Sequence, residues 1–240
     1  MRGGVILGLL LVASLMVGGL SLLAAEVRDP DDGQRSDERL YLPDGELLRH
    51  ASLGWHAPLA DYTWLQATQY YGGYHQGEHD FRYFDGLVEA TILLDPRFVE
   101  AYVFAGLAHC FDSQDYQAAI DIMKRGLVAN PDSWRLPFEI GFVHYVFTRE
   151  FDRASMWFAA AAERPGASDF CRRFAAWSAS RAGDAQGALL LWENLRRTTE
   201  SEEMRELATR QIEKLTSGGN VHPQPGQIGP PAPADPGGHL

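Results

Sequence analysis

The sequence is short of the side chains that cross-link or ligate. Its two cysteines, Cys110 and Cys171, are too few for a disulfide framework. It has no Cys-x-x-Cys, no haem-attachment sequence and no cysteine near the N-terminus to accept a lipid. Both thiols are therefore expected as small apolar core residues. A basic stripe is missing too. With a formal net charge of −11 there is no cationic surplus to neutralise phosphates, which excludes a nucleic-acid binder. Strand-like alternation is lacking, as are a Ser-His-Asp order, a phosphate loop and a metalloprotease histidine pair. No catalytic residue, cofactor or metal is expected, and the chain reads as non-enzymatic.

One more absence is informative. From Gly3 to Ala25 no residue is charged, and the run is rich in Leu, Val, Ile and Gly. As a helix it would rise about 34 Å, enough to cross a hydrocarbon core of about 30 Å. It ends Leu22-Leu23-Ala24-Ala25, a poor small-x-small site, so an uncleaved anchor over residues 4–25 is expected ahead of a cleaved signal peptide. Arg2 and the free amine precede it, and Arg28 on the other side is surrounded by acids. Positive-inside logic then puts the N-terminus in the cytoplasm and the rest outside, as an inner-membrane protein facing the periplasm or exterior. Cleavage would instead release the chain to the periplasm, so both readings place the later residues outside the cytoplasm.

After this segment (residues 1–25), residues 26–43 form an acidic linker. Between Glu26 and Glu46 stand eight acids and three arginines, a net of −5. Residues 217–240 carry six prolines and six glycines, and are expected to be a tail that neither propagates a helix nor buries a core. Between them, residues 44–216 have helical periodicity, with Asp95-Pro96, Asn130-Pro131 and Arg164-Pro165-Gly166 as boundaries. Gly72-Gly73 and Gly183-Asp184 read as turns.

These signals recur. Pro96 to Pro131 is 35 residues and Pro131 to Pro165 is 34; Gly106 to Gly141 is 35; Ala119 to Ala154 is 35 and Ala154 to Ala188 is 34. A helix-turn-helix unit at this period implies an all-α fold of antiparallel helix pairs stacked as an α-solenoid. Tyr102, Gly106, Tyr116, Ala119 and Pro131 in one unit, and Gly141, Phe151, Ala154, Phe158, Ala161 and Pro165 in the next, resemble the tetratricopeptide repeat family. A third unit carries Gly183, Ala188 and Trp192. A fourth lies upstream with Trp64 and a helix over Phe81–Leu94, where Phe84 fills the small position of the second helix. The turns from Gly106 to Tyr116 and from Gly141 to Phe151 run one residue long against the family pattern. Leu42-Pro43-Asp44-Gly45, Ala60–Leu65 and Gln69–Gly72 further resemble a group of bacterial membrane-anchored tetratricopeptide proteins. Ser201–Leu215 reads as a polar capping helix, and Gly45–Leu53 and Pro58–Gly72 as caps at the other end.

His75 and His79, with Glu78 between them, sit among Gly72, Gly73 and Gly77 and are expected in a loop, where i,i+4 spacing sets no shared face. His109 and His144 each follow a repeat glycine by three residues, a packing position in the family. The resemblance implies a concave face lined by first-helix residues. Carried onto this chain, these are Val103, Leu107 and Cys110, then Arg135, Phe138, Phe142 and Tyr145, then Asp169, Arg172 and Ala176. An apolar and aromatic face of this kind suits a protein or peptide partner. Val103 and Phe138 stand where a carboxylate clamp would need a cation, which argues against recognition of an acidic C-terminus. The expected function is a membrane-tethered interaction scaffold. An assembly chaperone for exported subunits, pilin-like or apocytochrome, is the alternative.

Overall fold

Residues that stop or start helices set the architecture. The computed structural model describes residues 52, 54–75 and 81–217. The expected membrane segment, the acidic linker, His79 and residues 218–240 lie outside these. Among the described residues there are nine α-helices and no strand, and no helix is long and apolar enough to cross a membrane. The helices are α1 (His56–His75), α2 (Arg82–Leu94), α3 (Val99–Ala108), α4 (Tyr116–Ala129), α5 (Arg135–Val143), α6 (Phe151–Ala162), α7 (Asp169–Ala182), α8 (Ala185–Thr198) and α9 (Glu202–Thr216). Asp115, Asp184 and Ser201 cap α4, α8 and α9 by accepting the backbone N–H three residues on.

Each helix packs against the next in sequence: four pairs, α1/α2 to α7/α8, closed by α9 against α8. The second helices begin at 82, 116, 151 and 185, a rise of 34 or 35 residues each time. That spacing makes the fold an all-helical stack of repeated pairs. Small residues allow the close crossings. A Cβ on Gly141 would lie 2.9 Å from the Phe158 ring, and one on Gly106 would meet the flexible end of Met123. Ala119, Ala154 and Ala188 are fully buried, as are Phe158 and Trp192. Phe84 departs from the small-residue pattern without disrupting the first pair. It is fully buried, with its ring 5.3 Å from Tyr71 and 5.7 Å from Phe104.

Two expectations are corrected here. Gly72 and Gly73 do not make a turn: α1 runs through both to His75, its last residue. The rings of Tyr70, Tyr71 and Tyr74 around those glycines pack on Tyr83, Phe84 and Phe81 of the facing segment. This packing outweighs the roughly 1 kcal/mol that each glycine withholds from a helix. For the same reason Pro58–Gly72 is no cap but part of the first helix of the first pair, tied to α2 by a buried Thr91–Thr63 hydroxyl hydrogen bond of 2.9 Å.

The long turns also have a structural form. α3 and α5 each end in one π-helical turn, His109–Ser113 and His144–Thr148, which absorbs the extra residue. The N–H groups of Gln114 and Asp115 both reach back to the His109 carbonyl, and those of Arg149 and Glu150 to that of His144. Gln114 (φ 54°) and Arg149 (φ 57°) take the left-handed conformation there. α7 lacks the extra residue and ends on Gly183 (φ 88°), with the Asp184 N–H on the Ala179 carbonyl.

The pairs are latched at their open ends. Asn130 donates from Nδ2 to the Pro96 carbonyl and Arg164 from Nε to the Pro131 carbonyl, both at 3.0 Å. Thr199 donates to the Asp169 carboxylate in the α7/α8 pair. The core divides into two clusters that meet on α5. Leu136, Ile140 and Val143 belong to one, with α1–α4; Phe138 and Tyr145 belong to the other, with α6–α9.

Candidate functional site

α5 is covered on three sides, and its remaining side is short. Of residues 135–143 only Arg135, Glu139 and Phe142 escape burial, at i, i+4 and i+7, and Val146 extends the stripe into the π-helical turn. In α3, thirty-five residues earlier, Glu100, Phe104, Leu107 and Phe111 occupy the same four positions. Phe104 is covered by Trp64, Tyr71 and Phe84 of the first pair, and the rest of the two stripes forms the open face of the second and third pairs.

The face has a polar end and an aromatic end. At the polar end Arg135 Nη1 lies 2.8 Å from Glu100, while its Nε lies 3.7 Å from Glu139. The Glu139 side chain is only 15% exposed. Burial pushes its carboxyl up to about 7, with Glu100 adding to the rise and Arg135 opposing it. At the aromatic end Phe111 is 62% exposed and Val146 39%. Phe147 lies between Phe111 (5.2 Å), Tyr116 (5.4 Å) and Phe142 (6.4 Å), centroid to centroid.

The sequence-predicted residues distribute unevenly over this face. Leu107, Arg135 and Phe142 are on it. Val103, Phe138 and Tyr145, expected to line the groove, are 2%, 8% and 5% exposed and face the core instead. Phe138 packs on Phe158, Phe170 and Phe174, and Tyr145 on Phe151 and Phe174, its hydroxyl accepting from Arg181 at 3.1 Å. Cys110 and Ala176 are buried as well. Arg172 sits on another side of α7, bound to Asp169 at 3.0 Å and beside Ala159, Leu191 and Asn194 in a groove between α6 and α8. The expected stripe lies about one residue, or 100°, from the open one. Glu100, Phe111, Glu139, Val146 and Phe147 were thus missed.

Away from this face, polar groups staple the first pair to α3. His109 Nε2 is 3.1 Å from Asp85, and this hydrogen bond raises the imidazole above its ordinary value against the effect of burial. Tyr71 donates to Asp112 at 2.6 Å, and His75 lies 3.6 Å from the same carboxylate. Burial and Asp112 together raise the Tyr71 phenol. His144, 5% exposed, is depressed by burial while Glu150 at 2.9 Å opposes the shift. Among the described residues no three His, Cys, Asp or Glu side chains are grouped to hold a metal ion. Burial raises the Cys110 and Cys171 thiols to about 12 and about 11.

No family model and no curated protein matches the chain. Among solved structures it is similar to that titled "Crystal structure of MamA", at 16% identity over 60% of this chain and 90% of that one, with a TM-score of 0.39. A likeness this loose carries no argument, and the fold rests on the repeat-spaced helix pairs themselves.

Proposed function

We propose that the chain is a membrane-tethered scaffold that works outside the cytoplasm and takes a protein or peptide partner on the open face of α3 and α5. One observation carries the reading. Phe111, Phe142, Val146 and Phe147 form a row of large apolar side chains beside Leu107, at the seam of the two core clusters, with Phe111 mostly in solvent. Contiguous aromatic area of this kind is what an interface leaves in solvent before it binds. The uncharged run Gly3–Ala25, with Arg2 before it, supports the tether and its direction.

The test is site-specific crosslinking of the full chain in its native membrane, combined with the double substitution Phe111→Ala and Phe142→Ala. The expected result is loss of a defined crosslinked partner with unchanged helical circular dichroism. Retention of that partner by the double variant removes the reading. Extraction of the full chain by alkaline carbonate, or its accessibility to protease from the cytoplasmic side only, removes the tethered, outward-facing part.

A further inference from the structure

The polar end of the open face carries two carboxylates and one cation. Glu100 holds Arg135 at 2.8 Å, so Glu139 has only the far side of the same guanidinium, at 3.7 Å. No other cation contacts either carboxylate among the described residues. Glu139 is nonetheless largely withdrawn from water, between the buried Phe138 and Ile140 and one helical turn before Phe142. An under-compensated carboxylate in such a place destabilises the fold at neutral pH, and local conflicts of this kind gather at functional sites. The equivalent position in α3 is Phe104, packed on Trp64, Tyr71 and Phe84, so the repeat does not require an acid there.

We infer that Glu139 is the specificity element of the open face: it receives a lysine or arginine of an amphipathic partner helix whose large apolar side chains lie on Phe142, Val146 and Phe111. The inference rests on the proposed partner-binding role of this face. Charge complementarity selects the partner, because one added cation balances Glu100, Arg135 and Glu139. Spacing follows from the helix. Phe142 lies about 4.5 Å beyond Glu139 along α5, and Val146 follows about one turn later in the π-helical turn. A partner helix alongside would therefore carry its apolar anchors three or four and seven positions from the cation. A charge-assisted hydrogen bond in this sheltered place contributes about tenfold or more in affinity.

The experiment uses the full chain in lipid nanodiscs and a displayed library of random 16-residue peptides. The expected binders carry Arg or Lys with large apolar residues at those offsets. In fluorescence anisotropy, Glu139→Gln should weaken the Arg-bearing peptide about tenfold while leaving unchanged the same peptide with Leu in place of Arg. Glu139→Arg should prefer the peptide with Glu at that place. Binders without a cation, or equal affinity of parent and Glu139→Gln for the Arg-bearing peptide, overturn the inference while the apolar face still stands. Absence of any binder, or binding untouched by Phe142→Ala, removes both.

Discussion

The second and third helix pairs repeat the same backbone device with opposite electrostatic results. In each, the first helix ends in a π-helical turn opened by a histidine and closed by a left-handed residue. Yet His109 is raised by Asp85 and His144 is depressed by its own burial. The difference originates one helix earlier. Thirty-five residues after Asp85 stands Ile120, which is buried and apolar, so His144 meets no counterpart of Asp85 there and pairs with Glu150 in its own unit. The repeat thus conveys geometry, while the neighbouring unit decides charge.

The crossings offer the strongest test of this comparison. Gly141→Ala should cost about 3 kcal/mol, because the new methyl meets the fully buried Phe158 ring, whereas Gly106→Ala should cost less, about 2 kcal/mol, because the Met123 Cε end can turn aside although the Ala119 carbonyl at 3.1 Å cannot. Urea unfolding of the two variants with unchanged m-values checks this, and equal losses would mean that the two crossings are equivalent. Glu139→Gln should act in the other direction. Its folded carboxyl is raised from 4.5 to about 7, so the native state disfavours the charge and loses stability as pH rises across that window. The amide should therefore stabilise by about 2 kcal/mol at pH 8 and by nothing measurable at pH 4. Thermal melts at both values read the difference.

The histidines give a smaller effect with a definite sign. His109, raised when folded, contributes stability below its unfolded pKa that is lost as pH rises through the folded value. His144, lowered when folded, contributes above its unfolded pKa and loses that as pH falls. Proton-shift titration should find His109 above and His144 below the ordinary histidine value, and Asp85→Ile should bring His109 down. Because Asp85 is 46% exposed, Asp85→Asn should cost less than about 1 kcal/mol at pH 6 and nothing at pH 9. Last come Gln114→Gly and Arg149→Gly, each relieving a left-handed side chain and expected to add about 0.5 kcal/mol in a denaturant melt.

Much of the repeat was legible because its markers have one meaning each. A proline can open a helix but not continue one, and Gly106, Gly141 and Ala154 fit only where helices cross closely. Gly72-Gly73 misled because the tyrosines that hold those glycines in α1 act through contacts with another helix. The open face was placed about one residue off. α3 is apolar around nearly its whole circumference, so its pattern gives no direction, and Val103, Phe138 and Tyr145 read equally well as surface anchors or as filling between pairs. Glu139 gave no signal at all, since a single acid on an apolar helix reads as a solvated residue until its neighbours are known.

The latches at the open ends give the stack a mechanical character. Asn130 on Pro96, Arg164 on Pro131 and Thr199 on Asp169 each close a loop within one pair. A pull along the chain therefore loads these hydrogen bonds one after another instead of shearing the whole core together. A stack of pairs fastened separately in this way opens in increments of one helix pair when its two ends are drawn apart. The fastening of each pair sets the step.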